Sequence, residues 1–411
     1  MKILHFADIH ARDTDINEIE KCLNAIVKAG RNESPDLIVC AGDVFDSQNV
    51  KLDSKAAKLI FSVFSELADI APVAVVIGTP SHDGTAAEVL RHVKARHPVR
   101  VSKRPEQFLL VRRENDESFI DDPLLAGGDY VMAIISMVPT PTKQFFNSSS
   151  DIKGSDNEIA QAMGAMFGGF GARAAGFPGT PHIMVGHFQV GGAFFSATQQ
   201  LSGPDIEISE DQIGYGQAGI VLLGHLHFHQ RIGTNIFYSG SIYRKDFGEL
   251  DIKGFYIHEI FRCGLLSSRF IETPARKLIK ITKDFTSRNH IEEANELIEI
   301  ASIDYDDIED AYIRVELKVY QDEAGKIDRE KITEIFSGAA DVDIRIIRVP
   351  RENVRSSHIL KLVTLRDKIL EMARLKSELV PDSVLAKADF LETMTPEQVM
   401  SVALAGGALC G

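Results

Sequence analysis

The sequence predicts an α/β fold whose sheet-rich part extends to about residue 270, and two observations support this prediction. Short β-branched runs alternate with segments of helical period, an order that is typical of α/β proteins. The composition is globular, because 44% of the 411 residues are hydrophobic and 25% are charged. The predicted strands are KILHFA, DLIVCA, VAVVI, YVMAIISMV, HIMVG, GIVLLG, IFYSG and GFYIHEI.

The segments between the strands are less uniform. In INEIEKCLNAIVKAG, the residues Ile16, Ile19, Leu23, Ile26 and Val27 form one apolar helical stripe, and a glycine after it is suited to a C-terminal cap. Residues 139–181 include the glycine-rich run GAMFGGFGARAAGFPG, which has no P-loop spacing. We expect an irregular, mobile excursion there.

The pattern changes after ETPARK. KLIKIT, AYIRVELKVY and VDIRIIRV read as three strands, separated by the helical stretches HIEEANELIEIA and REKITEIFSG. From Ser356 onward the sequence is helical in pattern. We therefore predict a main domain at residues 1–273, a compact second α/β domain at 274–355 and a helical tail at 356–411.

Cysteine usage and hydropathy indicate a compartment. The four cysteines are far apart and form no CxxC pair, which suits a reducing environment better than a disulfide framework or a zinc ribbon. No apolar run approaches the roughly 20 residues that a membrane span needs, and the N-terminus does not resemble a secretory signal. We expect a soluble, cytoplasmic protein.

The charge distribution leaves two interpretations open. A net charge of −14 argues against non-specific coating of nucleic acid. Eight lysines and arginines nevertheless lie between Arg91 and Arg113, either as a phosphate-tracking patch or as a solvated helix and loop face. Tryptophan is absent and clustered aromatic residues are scarce, which counts against a base-stacking platform.

Polar side chains follow five of the predicted strands. Binding groups in open α/β sheets collect beyond the carboxyl ends of strands, so residues far apart in sequence can converge in one crevice. The residues concerned, in chain order, are Asp8, His10, Asp43, Asp46, His82, Asp83, His187, His225 and His227. Any one of these residues alone is weak evidence for a functional site. Because the whole set follows the ends of strands, it predicts a metal site.

The residue types indicate the chemistry. Imidazole and carboxylate without thiolate favour manganese, iron or zinc. A bridging carboxylate with ligands on both sides builds a two-metal site that clamps a phosphoryl group for in-line attack. A nearby histidine can protonate the leaving alkoxide. The sequence therefore predicts phosphoester hydrolysis.

The motifs DIH, GDVFD, GTPSHDG, GHF and GHLH, in that order and each after a strand, resemble the signature motifs of calcineurin-like metallophosphoesterases. Further on, YSGSIYRKDFGELDIKGF and ETPARKL resemble the SbcD-type nucleases of DNA double-strand-break repair. This resemblance covers residues 1 to about 280. It implies a metallophosphoesterase β-sandwich flanked by helices, a smaller α/β capping domain and a helical tail.

The resemblance also implies roles for individual residues. Asp8, His10 and His227 correspond to ligands of one ion, and His187 and His225 to ligands of the other. Asp43 corresponds to the bridge between the ions, which the family suggests are most often Mn²⁺. His82 corresponds to the catalytic histidine beside the leaving group, and Asp83 would orient its imidazole or brace the loop.

The chain departs from the family in one motif. The family has Gly-Asn-His-Asp, whose asparagine oxygen is a ligand of the second ion, whereas this chain has Gly-Thr-Pro-Ser-His-Asp. Ser81, Thr79 or water would have to fill that position. We assign Ser81 as the expected ligand, and because its hydroxyl is a weaker donor, we expect a looser second site.

The favoured function is a two-metal-dependent DNA nuclease, an exonuclease with endonuclease activity left open, acting in double-strand-break repair. The resemblance implies DNA, an SMC-like ABC-type ATPase and a second copy of the chain as partners. Two other classes remain open: a small-molecule phosphodiesterase or phosphatase, and a catalytically weak subunit that binds DNA ends. In the tail, Leu362, Leu365, Ile369, Met372, Leu375 and Leu379 form one helical stripe, which either packs on the cap or binds the ATPase.

Overall fold

The computed structural model describes residues 1–114, 116–142, 156–196, 199, 206–261, 266–286, 308–350, 359 and 361–404. These residues form two compact units. The first comprises residues 1–284, 290–317 and 327–346, and the second comprises 285–289, 318–326 and 347–411. Within the described residues, no helix combines the length and apolarity that crossing a membrane requires.

The strands are β1 (Lys2–Phe6), β2 (Leu37–Cys40), β3 (Val73–Val76), β4 (Val99–Ser102), β5 (Glu106–Arg113), β6 (Asp116–Ile120), β7 (Tyr130–Val138), β8 (His182–His187), β9 (Gln189–Val190), β10 (Glu207–Ile208), β11 (Ile220–Gly224), β12 (Gln230–Ile232), β13 (Ile236–Tyr238), β14 (Gly254–Ile260), β15 (Leu266–Glu272), β16 (Leu278–Asp284), β17 (Tyr312–Tyr320) and β18 (Asp341–Val349). The helices are α1 (Ile16–Glu33), α2 (Lys55–Ala68), α3 (Asp156–Ala174), α4 (Glu210–Gly214), α5 (Arg329–Ile335), α6 (Leu365–Lys376), α7 (Asp382–Glu392) and α8 (Pro396–Leu404).

Two large sheets pack face to face in the first unit. One has the order β15-β14-β1-β2-β3-β4, and the other has the order β12-β13-β11-β8-β7-β5-β6. Side chains of both sheets, such as Val39 of the first and Ile135 of the second, share one buried cluster. The predicted α/β sandwich is therefore confirmed.

Helices cover the outer faces of both sheets. Ile19 and Leu23 of α1 and Phe64 of α2 are buried against the outer face of the first sheet. Met163 and Phe167 of α3 are buried against the second sheet. The result is a four-layer arrangement in which each layer buries its apolar face against the next.

Parallel pairing places the carboxyl ends of neighbouring strands at the same edge of each sheet. In the first sheet, β1, β2 and β3 are parallel neighbours. In the second sheet, β8 and β11 are parallel neighbours. Their carboxyl ends carry every polar residue that the sequence singled out.

All eight predicted strands of the main domain are present, but two local predictions were wrong. Residues 156–174 form α3 rather than an irregular excursion, because Ile159, Met163 and Phe167 recur at helical spacing and are buried. A Cβ at Gly171 would lie 2.7 Å from the carbonyl oxygen of Tyr215, so this glycine allows a close approach to the neighbouring turn.

The helix α1 also runs past the predicted cap. Gly30 lies inside α1, which ends at Ser34 in the left-handed conformation. A Cβ at Gly30 would lie 3.3 Å from Ile70 and 3.6 Å from Leu4. The glycine therefore serves close packing rather than termination.

The strands β16, β17 and β18 form a three-stranded sheet, and α5 follows β17, as the sequence predicted. The predicted helix at residues 290–301 lies outside the described residues. In the tail, α6 begins after the Thr364 cap. A capping box starts α8, with Thr395 and Gln398 bonded reciprocally.

Candidate metal centre

The loops after β1 and β2 hold each other by backbone hydrogen bonds. The amide of Asp8 donates to the carbonyl of Gly42 at 3.0 Å, and the amide of His10 donates to the carbonyl of Asp43 at 2.9 Å. Asp8, His10 and Asp43 all have positive φ angles, of 52°, 44° and 51°. Such strain in non-glycine residues persists where the surroundings enforce it, and it is concentrated at functional sites.

A first cluster of metal-ligand atoms comes from three buried residues, Asp8, His10 and His227. Their donor atoms lie within 4.8 Å of one another. The Nε2 atoms of His10 and His227 are 3.0 Å apart. The structure thus brings together the three residues predicted to hold one ion.

A second cluster combines Asp8, Asp43 and His187, again with donor atoms within 4.8 Å of one another. His187 Nε2 lies 3.3 Å from Asp43 Oδ2. The same carboxylate oxygen lies 3.7 Å from His10 Nε2 of the first cluster. Asp8 belongs to both clusters and Asp43 contacts both, so two carboxylates occupy the position between the sites.

The donor atoms fit a bound cation. His187 Nδ1 lies 2.7 Å from the carbonyl oxygen of Ala41, which can only accept, so this nitrogen carries the proton. In the neutral ring, Nε2 then directs a lone pair at the Asp43 carboxylate. Two acceptors at this distance require a proton or a metal ion between them.

The electrostatics agree with that requirement. Burial alone would lower the pKa of His187, but Asp43 and Asp8 together raise it to about 9. Burial would raise the pKa of Asp43, yet His187 and the neighbouring histidines hold it well below its usual range. Burial raises the pKa of Asp8. The negative charge of the Asp43 carboxylate therefore favours a bound cation. The nitrogen and oxygen donors of the pocket suit manganese, iron or zinc.

His225 was predicted as a ligand beside His187. Its ring lies against the ring of His187, with centroids 5.2 Å apart. Its backbone amide donates to both carboxylate oxygens of Asp8, at 3.0 and 3.2 Å, from a φ of 91°. His225 therefore orients Asp8 and adjoins the second cluster.

Thr79, and not Ser81, lies beside Asp43 and His187 in the motif that departs from the family. The Thr79 hydroxyl donates to Asp43 Oδ2 at 3.2 Å and lies 3.4 Å from His187 Nε2. Its backbone amide donates to Asp43 Oδ1 at 2.6 Å. Ser81 is exposed, and its carbonyl accepts the amide of Gln48. The geometry favours Thr79 among the alternatives that the sequence left open.

His82 and Asp83 have separate surroundings. His82 Nδ1 lies 2.9 Å from the backbone carbonyl of Asp46, and its ring meets the edge of His10 with centroids 4.6 Å apart. Asp83 is buried and accepts the amides of Phe45 and Gly78 at 3.0 and 2.9 Å. Asp83 therefore braces the loops, and the carbonyl of Asp46 orients the imidazole.

Asp83 also has an unusual pKa. Burial and the nearby charge of Asp43 raise it to about 7, against the two amides that it accepts. The ionised form of Asp83 is therefore less stable here than in water, because burial removes the solvation of its carboxylate.

Three residues of the centre were missed from the sequence. Glu249 Oε1 lies 2.5 Å from His227 Nδ1, and Glu249 Oε2 lies 3.2 Å from the ammonium of Lys253. Burial would raise the pKa of Glu249, but its bond to His227 and the charge of Lys253 bring it to about 2. Lys245 pairs with Asp46 at 2.7 Å. All three lie in YSGSIYRKDFGELDIKGF, so that motif was the available signal.

The basic stretch at residues 91–113 includes two strands as well as helix and loop. It spans a short 3₁₀ helix at Ala87–His92 and the strands β4 and β5. Five of its eight cations form ion pairs: Arg91 with Glu88, Arg100 with Glu106 and Asp121, Lys103 with Glu88, Arg112 with Glu117, and Arg113 with Asp129. Most of its charge is therefore already balanced.

A cavity of about 530 Å³ opens beside the loop that carries Thr79. Gly78 and Pro80 line one side, and Lys103 and Arg104 line another. Glu88, the ion-pair partner of Lys103, also lines the cavity, so its lining carries charges of both signs.

The fold and the clustered acids and histidines resemble those of metallophosphoesterases. Residues 1–174 match the family model described as calcineurin-like phosphoesterase.

The chain also resembles a particular relative, the D subunit of the nuclease SbcCD from Staphylococcus epidermidis. The two are 24% identical over 296 residues, which cover 69% of this chain and 73% of the relative. Among solved structures, the crystal structure of TT1561 from Thermus thermophilus matches with a TM-score of 0.34 and 15% identity, covering 66% of this chain and 98% of that one.

Proposed function

We propose that this metallophosphoesterase is a DNA nuclease that depends on two divalent ions, most often Mn²⁺, and processes DNA ends during double-strand-break repair in the cytoplasm. The observation that carries the proposal is the pair of donor clusters that share Asp8 around the Asp43 carboxylate. The similarity to a component of a nuclease supports DNA as the substrate.

Asp8, His10 and His227 would hold one ion, and Asp8, Asp43 and His187 the other, with Asp43 between them. Two such ions, when bound, supply an activated water and offset the charge that develops on phosphorus. Glu249 fixes the tautomer of His227 by accepting its Nδ1 proton, so that Nε2 is the ligand atom.

His82 acts on the leaving group in this proposal. With the ring as an imidazolium, the carbonyl of Asp46 accepts the Nδ1–H and holds the ring, and the Nε2 proton passes to the departing alkoxide, which leaves a neutral His82. The ring is half-buried at the edge of His10, so it faces the space beside the clusters.

The direct test uses purified protein with Mn²⁺ on two substrates, end-labelled duplex DNA and the chromogenic diester bis(p-nitrophenyl) phosphate. We expect both to be hydrolysed, and Asp43→Asn to abolish both activities. Asp116→Asn, which changes an exposed acid on β6, is the matched control and should behave like the parent protein.

Other outcomes would point to the other two classes. Hydrolysis of the chromogenic diester without any cleavage of DNA would indicate a small-molecule phosphodiesterase. Binding of DNA ends with no hydrolysis of either substrate would indicate a catalytically weak subunit. Either result would overturn the nuclease proposal.

We further propose that the tail binds an SMC-like ABC-type ATPase and that the chain forms a homodimer. The predicted stripe on α6 is largely open to solvent, with Met372 50% exposed and Leu375 52% exposed, and Leu379 beyond it is fully exposed. An amphipathic helix with an uncovered apolar face is suited to a partner groove.

The partner proposal is tested by co-expression with the ATPase. Met372→Glu combined with Leu375→Glu should abolish co-purification while Mn²⁺-dependent hydrolysis persists. Leu124→Glu alters an exposed leucine elsewhere and should leave co-purification intact. Equal recovery of both variants would contradict the assignment of the tail, and sedimentation of the parent as a monomer would contradict the dimer.

A further inference from the structure

Two adjacent phenylalanines stand exposed on the segment that follows the metal-centre residue His187. Phe194 is 72% exposed and Phe195 is 37% exposed. Large aromatic side chains bury much apolar area when they find a partner, so exposing two in succession has a cost unless they contact something in function.

The segment is fixed rather than loosely placed. The side-chain carbonyl of Gln230 accepts the amide of Phe194 at 2.8 Å, and the side-chain amide of Gln230 donates back to the carbonyl of Phe194 at 2.8 Å. One glutamine thus holds both backbone groups of Phe194. Ordering the backbone in advance lowers the entropy that binding must overcome.

The same segment is tied to the metal centre. The side-chain amide of Gln199 donates to the carbonyl of His225 at 2.5 Å, and its carbonyl oxygen accepts the amide of His227 at 3.1 Å. Gln230 also donates to the carbonyl of Phe228, the residue after His227, at 3.2 Å. Phe194 is therefore held to the backbone that carries the first donor cluster.

We propose that Phe194, assisted by Phe195, stacks against an unpaired nucleobase of the DNA strand next to the bond that is cleaved. This inference rests on the proposed nuclease function and adds a substrate contact to it. A phenylalanine has an aromatic face and no hydrogen-bonding group, so it accepts any base and suits a nuclease that does not read sequence.

The location favours a base over a protein surface as the occupant. A nucleotide whose phosphate lies at the metal centre carries its base beside that phosphate, and Phe194 is bonded through Gln230 to Phe228, the residue after His227. The patch of two side chains is also much smaller than the roughly 800 Å² per partner of a stable protein interface.

The experiment measures binding of a duplex with a short single-stranded extension that contains 2-aminopurine and phosphorothioate linkages. Stacking quenches 2-aminopurine fluorescence, a signal that a merely structural role would not produce. Phe194→Leu keeps apolar bulk without an aromatic face, and Phe194→Tyr keeps the face. Leu124→Ala is the control, and Mn²⁺ binding by each variant checks that the metal centre is intact.

We expect Phe194→Leu to reduce the quenching and to weaken binding roughly 5- to 100-fold, the range for one lost base–aromatic contact, while Phe194→Tyr retains both. Unchanged affinity and quenching in Phe194→Leu would overturn the inference and leave the nuclease proposal standing. An altered sedimentation coefficient with unchanged DNA binding would also overturn it, because the patch would then join two copies. Failure of the parent protein to bind this DNA would defeat the nuclease proposal and the inference with it.

Discussion

Thr79→Val tests which residue replaces the family's asparagine. The substitution removes one hydroxyl but keeps the β-branched shape, and the backbone amide of Thr79 can still donate to Asp43 Oδ1. A hydrogen bond to a charged group contributes about 1.5–3 kcal/mol. The Thr79 hydroxyl contacts of 3.2 and 3.4 Å are long, so we take the low end. We expect about 10-fold weaker binding of the second Mn²⁺ ion, since about 1.4 kcal/mol is a factor of ten.

The assay is calorimetric titration with Mn²⁺, accompanied by hydrolysis of the chromogenic diester as a function of Mn²⁺ concentration. Ser81→Ala is the matched control, because it removes a neighbouring hydroxyl that is exposed, and it should leave the titration unchanged. If Ser81→Ala weakened the second ion and Thr79→Val did not, the reasoning from geometry would be refuted.

Three further predictions concern other parts of the centre and the fold. His82→Ala should retain Mn²⁺ and lose on the order of 10²–10⁴ in rate, the range for one acid–base group, with the exposed His92→Ala as control; loss of the metal as well would make His82 a ligand. Glu249→Gln should weaken Mn²⁺ binding roughly 10- to 100-fold, because the tautomer of His227 would no longer be fixed by a carboxylate. An unaltered Mn²⁺ titration would show that Glu249 does not support the metal site. Burial lowers the pKa of His5 from 6.5 to about 3, so below pH 6.5 the unfolded chain binds a proton that the folded chain does not. The free energy of unfolding should therefore fall by about 2 kcal/mol between pH 6.5 and pH 5 on account of His5, and denaturant titrations in which His5→Leu shows the same fall would contradict this.

The strands that carry the centre could be predicted because each is a short apolar run that ends in an unusual polar pair. β1 followed by Asp8 and His10, and β8 ending at His187, are examples. Their convergence followed from the general behaviour of parallel strand ends.

Other features depend on contacts that the sequence does not display. The glycines of α3 resemble those of a loop until the approach of the Tyr215 turn explains them. The strand β5 carries arginines at its end and so resembles part of a basic stretch, since its buried residues are revealed only by pairing with β7. Glu249 is a single acid in a loop, and its role depends on where His227 lies.

The aromatic residues give a similar lesson. The sequence shows few aromatic clusters, which argued against a stacking platform. The fold leaves Phe194 and Phe195 exposed while Gln230 and Gln199 tie their segment to the metal centre. Neither glutamine forms part of a recognisable motif, so this arrangement could not be predicted from spacing.

The most direct test of the account is anomalous diffraction from crystals of the full chain grown with Mn²⁺. We predict two ions roughly 3.5–4 Å apart, one held by His10 and His227, the other by His187, with Asp8 and Asp43 between them. A single ion, or ions held by other residues, would contradict it.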